Sequence, residues 1–376
     1  MNAIYLDNNA TTPLIPEVWE AMLPYFIDYF GNPASSHSVG RSARRALEQS
    51  RELTASLLGA SPNEVIFTSG ATEANNLAMF GLVPSVPSSL VLGPVEHPCV
   101  SEPAKQLSDS GKTLSLLDVD GTGKVIVESL SEHLSNETRL LAVMLANHET
   151  GTIQPIRELR DRLPETIPFH CDAAAAAGKM LIDFHQLGVT TLTISAHKFH
   201  GPKGVGALLV REGNRLHPQQ FGGHQQQGKR PGTEPVPLAV GLATALELAV
   251  RDMTKRRGYV RKLHQTFWDG LQKASPVIRN GSEDGLPYTL NVSFPGCRAD
   301  VLLMNLDLVG VACSTGSACS SGSLLPSPVL QAMRVSEEAL QSAIRFSFSP
   351  LLTEAEVSEA AGRIAEVVRR LRSVTE

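Results

Sequence analysis

Lys198 stands in the segment TISAHKFHGPKG (193–204), where an apolar run leads straight into Ser195, His197 and Lys198 and a Gly/Pro loop follows. A lysine normally keeps its ammonium group in water, because burial costs several kcal/mol and pulls its pKa down from about 10.4. At the end of a strand it reaches into a cleft, where it can lose its proton and condense with an aldehyde cofactor as a Schiff base. Lys203, in GPKG, is the rival and reads as a turn lysine. Upstream, FHCDAAAAAGK (169–179) is another apolar run, ending in Asp172 and followed by small residues. A carboxylate there can keep a pyridine nitrogen protonated, turning a ring into an electron sink, and the small residues let a ring lie close. Asp172 could equally cap a following helix. In FTSGATEANN (67–76) a strand meets Ser-Gly-Ala-Thr and then a helical pattern. Such a turn offers free N–H groups and the positive helix end to a phosphate, unless Thr68 or Ser69 merely caps the helix. His97, in PVEHPC, also follows a strand and could stack on a ring and carry protons, or be structural.

Two further residue types matter. Arg345, in AIRFS, can clamp a carboxylate through a planar pair of hydrogen bonds, or serve a buried ion pair. Cys319 sits in ACSTGSACSSGSL, a run of small polar residues that reads as a flexible loop, where a lone cysteine is usually inert. The five cysteines (Cys99, Cys171, Cys297, Cys313, Cys319) are scattered without a CxxC pair, which suggests neither a disulfide framework nor a zinc site. Cys171, Cys297 and Cys313 read as packed small hydrophobes.

These residues need elements to hold them. Apolar runs at 65–68, 90–93, 113–119, 140–146, 169–172, 190–195 and 205–210 alternate with helical patterns such as 42–58 and 131–135, which implies an α/β fold with a mainly parallel sheet. The stretch 237–261 reads as one long helix, able to bridge two domains. Beyond it lie strands at 289–294, 309–313 and 344–347, a helix at 299–307 and a last helix at 353–372 opened by the capping box Thr353-Glu354-Ala355-Glu356. At 376 residues two domains are expected: a large one over 14–250 and a small α/β one from 1–13 and 251–376, carrying Cys319 and Arg345. The apolar runs are too short to cross a bilayer, and the N-terminus has no signal or transit pattern, so a cytoplasmic address follows. The net charge of −5, with no basic cluster beyond a solvated face near 41–51, argues against nucleic acid.

Together, YLDNNATTP, GNPASSH, FTSGATEANN, EHP, NHETG, CDAAAAAGK, SAHKFHGPKG, GKRPGTE, STGSACSS and AIRFS closely resemble the cysteine desulfurases, class V members of the fold-type I pyridoxal-phosphate (PLP) enzymes. The match spans positions 5–348 and implies that fold, a seven-stranded sheet between helices plus a smaller domain. By resemblance, Lys198 is the Schiff-base lysine, Asp172 the ring-nitrogen partner and His97 the stacking histidine. Ala71, Thr72, Ser195 and His197 match phosphate and ring contacts, with His148 and Ala175 at two further cofactor positions. Thr233 matches a threonine reaching the phosphate of the neighbouring subunit, so a homodimer is implied. Arg345, helped by Asn32, would hold the carboxylate of L-cysteine. Cys319 aligns with the cysteine that takes its sulfur as a persulfide and passes it to an acceptor such as an iron–sulfur scaffold; Cys319 is also a candidate transient iron–sulfur ligand, and no resident metal is expected. An acceptor-docking tail is expected to be short or absent.

Three positions depart from the family pattern: His148 replaces an asparagine, Ala175 a glutamine that hydrogen-bonds the cofactor's phenolic oxygen, and Gln226 a glutamate. The lost hydrogen bond is worth roughly 0.5–1.5 kcal/mol, so binding should survive while turnover slows or the substrate changes. Selenocysteine lyase, β-elimination or a weakly catalytic sulfur-transfer scaffold are the rival functions.

Overall fold

The apolar runs pair into three sheets. The computed structural model describes residues 3–316 and 326–375. Its strands are β1 (Ile4–Tyr5), β2 (Val65–Thr68), β3 (Ser89–Leu92), β4 (Thr113–Leu116), β5 (Thr138–Ala142), β6 (Phe169–Asp172), β7 (Thr191–Ser195), β8 (Gly206–Val210), β9 (Ile278–Asn280), β10 (Thr289–Ser293), β11 (Val311–Ala312) and β12 (Ala343–Ser347). Seven of them form the central sheet, in the order β2-β8-β7-β6-β5-β3-β4. Only β8 runs antiparallel to its neighbours, so the expected mostly parallel seven-stranded sheet is present. Side chains alternate between its faces: Val65 and Phe67 enter one core and Ile66 another. Helices Ser38–Leu57 and Val236–Arg251 cover the first face; Ala71–Leu82 and Pro98–Asp109 cover the second. Burial on both faces is why the strands other than the part-exposed edge strand β4 read as mostly apolar runs.

A separate core gathers around Phe267, Phe294, Phe346 and Phe348, between the antiparallel sheet β12-β10-β9 and helices Met253–Leu271 and Glu354–Thr375. The parallel pair β1–β11 brings Ile4 and Leu6 into that core. The single helix expected over 237–261 is instead two, Val236–Arg251 and Met253–Leu271, interrupted at Asp252 (φ −110°, ψ 20°). The break re-aims the apolar stripe: Leu242 and Leu246 face the sheet, whereas Val260, Leu263 and Phe267 face the second core. The capping box at Thr353 forms, with Thr353 N donating to Glu356 Oε2 (2.8 Å) and Glu356 N to Thr353 Oγ1 (3.2 Å). Among the described residues no helix is long and apolar enough to cross a membrane.

Candidate active site

The segments following β2, β3, β5, β6 and β7 open at one end of the parallel strands, where a cavity of about 470 Å³ lies. The segment after β7 is a single 3-10 turn, Ala196–Lys198, which turns Lys198 into that cavity. Its Nζ donates to the carbonyl oxygens of Asn9 (2.5 Å) and Ala10 (3.1 Å). Ser195 and His197 line the same wall. Burial and the nearby Lys198 charge push His197 down to about 4, so the ring is neutral at physiological pH. Lys203 is exposed at the rim.

Asp172, the last residue of β6, is buried. Its Oδ1 accepts from Ala174 N (2.8 Å) and its Oδ2 from Asn75 Nδ2 (2.7 Å), so it caps the following turn and retains a network of its own. Asn75 Oδ1 meets His170 Nε2 (3.0 Å), whose Nδ1 meets Thr191 Oγ1 (2.9 Å), fixing the carboxylate from behind. Ala174 and Ala175 line the cavity, and their side chains carry no hydrogen-bonding group.

Ala71 and Thr72 open the helix Ala71–Leu82, whose N-cap is Gly70; no side chain caps it. Its first-turn acid, Glu73, is ion-paired with Arg230 (2.7 Å) and accepts from Ser69 N (2.7 Å). The helix start thus keeps its N–H groups while its one carboxylate is neutralised by a cation. Gly206 makes this approach possible, since a Cβ there would stand 2.9 Å from the Gly70 backbone.

His97 and His148 meet edge to face, ring centroids 4.9 Å apart, and both line the cavity. His97 Nδ1 accepts from Cys99 N (3.1 Å), capping the next helix. Burial lowers the pKa of both rings, that of His148 strongly, with the cations Lys198 and Arg345 adding to it. His148 Nδ1 is buried with no partner among the described residues.

Arg345, on β12, is buried but does not line the cavity. Its Nη2 pairs with Asp7 Oδ1 (2.7 Å), its Nη1 donates to His148 O (3.4 Å), and its Nε has no partner among the described residues. Asn32 and Thr233 are exposed and also lie outside the cavity lining of their own chain; Asn32 Oδ1 accepts from Ala34 N (2.9 Å). Cys319 lies outside the described residues. Cys171 and Cys297 are buried and Cys313 half-buried, its thiol pushed up to about 12 by burial. Gln226 is buried in a polar bridge, its Oε1 accepting from Arg51 Nη1 and Phe67 N (both 2.9 Å) and its Nε2 donating to Glu234. No metal-holding cluster exists among the described residues.

Sequence reasoning left Asn9 and Lys179 unassigned. Lys179 lines the cavity, donates to Asn9 Oδ1 (2.9 Å), and is pushed down to about 7 by burial and by Lys198. Lys179 closes the quoted segment CDAAAAAGK, but its tie to Asn9 spans 170 positions and leaves no local signal.

The aminotransferase class-V family matches residues 4–359. A cysteine desulfurase of Trichormus azollae is 42% identical over 386 aligned residues, covering all of this chain and 95% of that protein. A solved NifS-like protein has a TM-score of 0.92 at 35% identity, covering 98% of this chain and 100% of its own. SspA in complex with cysteine has a TM-score of 0.81 at 33% identity, covering 93% and 99%. The chain belongs to the class-V aminotransferase family, in its cysteine desulfurase branch.

Proposed function

We propose that this chain is a cytoplasmic PLP-dependent cysteine desulfurase: it converts L-cysteine to L-alanine, takes the sulfur as a persulfide on Cys319 and yields it to an acceptor protein for iron–sulfur or thiolation chemistry. One observation carries the reading: Lys198, Asp172 and His97 converge on one cavity beside an uncapped helix start. PLP has an aldehyde, a ring nitrogen and a phosphate, and these residues fit each. Lys198 would tether the aldehyde, Asp172 would face the nitrogen, and Ala71, Thr72, Ser195 and His197 would hold the phosphate end. The unpartnered His148 Nδ1 is suited to a polar atom of the bound group. When bound, PLP supplies a sink for the electrons left on deprotonating the substrate.

The chain's own residues do the rest. Arg345, helped by Asn32, holds the substrate carboxylate and so orients the Cα–H toward Lys198 Nζ, which removes and returns protons. His97 is the second proton carrier, suited to it because burial keeps its ring neutral and ready to accept. The Cys319 thiolate attacks the substrate sulfur; an S–S bond forms as the C–S bond breaks, and the carbon is protonated to give alanine. Exposed Thr233 fits a role in the site of a second copy, and the exposed Trp19, Phe26 and Phe30 (72% exposed) give a homodimer an apolar face. Domain limits of 14–250 and of 1–13 with 251–376 are supported by the change of core at Asp252.

Incubating the purified protein with L-cysteine and an excess of a dithiol reductant, which releases the persulfide sulfur as sulfide, should yield alanine and sulfide in equal amounts, and Cys319→Ser should lower both at least a hundred-fold. No product from a PLP-loaded wild type would instead support a scaffold. A related lyase is the second reading, favoured by Ala175, which offers no donor, and by His148; sulfide release that persists in Cys319→Ser would select it. Arg345→Lys should lower kcat/KM about a hundred-fold, mostly through KM, because an ammonium cannot reproduce the two-pronged grip, worth ~1.5–3 kcal/mol. Initial rates against cysteine concentration check this.

A further inference from the structure

The segment 8–13 ties the lysine turn to the second core. On one side, Asn8 Nδ2 donates to Ser347 O (2.9 Å), Asn9 N to Ser347 Oγ (2.8 Å) and Asn9 Nδ2 to Thr289 Oγ1 (2.7 Å). These bonds fasten the segment to β12 and β10. On the other side, His197 O accepts from Thr12 N (3.0 Å) and from Thr12 Oγ1 (2.9 Å). Lys198 Nζ completes the clasp by donating to the carbonyls of Asn9 and Ala10.

Asn9 is the middle of this arrangement. It is buried, and its side chain is fully engaged: Nδ2 also donates to His148 O (3.0 Å), and Oδ1 accepts from Lys179 Nζ (2.9 Å). Lys179 is buried as well, with its amine over the Tyr288 ring. A lysine amine is costly to bury, and this one directs its hydrogen bond to the residue whose carbonyl takes Lys198. A second cavity, of about 20 Å³, is lined by both lysines together with Thr12, His200 and Tyr288. Each flexible four-carbon stem therefore has another direction in which to turn.

We propose that Asn9 is a positioning residue for Lys198, with Lys179 as the clamp on its side chain: together they fix the carbonyls of residues 9 and 10 as a dock to which the Lys198 amine returns whenever it is free. Two carbonyl oxygens favour the charged form of the amine and define where it stands before and after each proton transfer. Misplacement of a reacting group by about an ångström can cost a hundred-fold in rate. The inference rests on the reading of Lys198 as tether and proton carrier.

The test uses the full-length protein, loaded with PLP for rates and freed of it for labelling, and the variants Asn9→Ala, Lys179→Met and the two combined. In Asn9→Ala, kcat is expected to fall about tenfold or more while KM for L-cysteine stays within about twofold, since the substrate carboxylate is held elsewhere. Lys179→Met removes the same hydrogen bond from its other end and should show the same split. The combined variant should lose about as much as the worse single one, because both act through one contact. In the PLP-free protein, acetylation of Lys198 by acetic anhydride, read by peptide mapping, should quicken about fivefold or more in each single variant, as the amine loses acceptors that favour its charged form. Wild-type kcat in Asn9→Ala, a loss confined to KM, losses that multiply in the combined variant or an unchanged acetylation rate overturns the proposal. If Asn9→Ala fails to fold, kcat and acetylation in Lys179→Met decide in the same way. Should borohydride trap PLP on an amine other than Lys198, the reading of Lys198 fails by itself. The acetylation rates then decide the dock alone: quickening in the variants supports it, and an unchanged rate refutes it.

Discussion

Replacing Lys198 by alanine is expected to lower alanine formation from L-cysteine by about ten-thousand-fold or more, since the proposed function makes one amine both covalent tether and proton carrier. The structure also contains the natural substitute, which makes the experiment sharper. Lys179 lines the same cavity, and burial with the neighbouring Lys198 charge pushes it down to about 7, so a good part of it is neutral at working pH. Its Nζ is held on Asn9 Oδ1 (2.9 Å) and lies over the Tyr288 ring (5.8 Å), whereas Lys198 takes the Asn9 main-chain carbonyl. One asparagine thus holds the two amines at different atoms. Lys179 is expected not to rescue the variant, because rescue would require it to abandon its hydrogen bond to the Asn9 side chain. Borohydride reduction followed by peptide mapping checks this directly. The label should sit on Lys198 in the wild type and vanish in Lys198→Ala; irreversible trapping in the variant, at Lys179 or elsewhere, would remove Lys198 from the centre of the mechanism.

Why these residues were legible in sequence follows from how a parallel sheet works. Each buried strand is a short apolar run, so the first polar residue after it marks the point where the chain leaves the core. Asp172 and Ser195 stand at such points, and the observed ends of β6 and β7 coincide with the ends of the runs. Helix starts read equally well: Gly70, ahead of a helical pattern, takes the φ of +155° that other residues rarely adopt. What could not be read is long-range. Arg345 finds Asp7 across 338 positions, and Asn9 joins His148, Thr289, Lys179 and Lys198 through contacts that no spacing encodes. The two-residue β1 and three-residue β9 are too short for a periodic signal, and β1 exists because β11 is there to pair with it. The break at Asp252 is weakly marked: Ala249, Val250 and Met253 pass it at helical spacing, the polar run 254–258 follows, and the switch from one core to the other demands the bend. Asn32 and Thr233 are a different case. Their assignment came from resemblance, and neither lines the cavity of its own chain.

Asp172 carries the second large effect. Its carboxylate is buried and has donors on both oxygens, from Ala174 N and Asn75 Nδ2, with Asn75 itself locked by His170 and Thr191. Asp172→Ala removes the negative charge and strands two buried donors, at about 1–3 kcal/mol for each donor left unpaired. Lost turnover in that variant alone would therefore mix chemistry with stability. Asp172→Asn separates them. The asparagine keeps the size and one acceptor oxygen, so Ala174 N retains its partner and thermal stability should fall by only a few degrees, as expected for roughly 1 kcal/mol in a chain of this size. It cannot hold a positive ring nitrogen, and under the proposed function the charge it lacks is the one that would sustain the electron sink. kcat is therefore expected to drop about a thousand-fold in Asp172→Asn, close to the loss in Asp172→Ala, while Tm separates the two variants. Steady-state rates with PLP-saturated protein and a calorimetric scan of each variant give the comparison. Near-normal turnover in Asp172→Asn would reduce the carboxylate to the cap of its turn, the plainer role that Ala174 N already gives it.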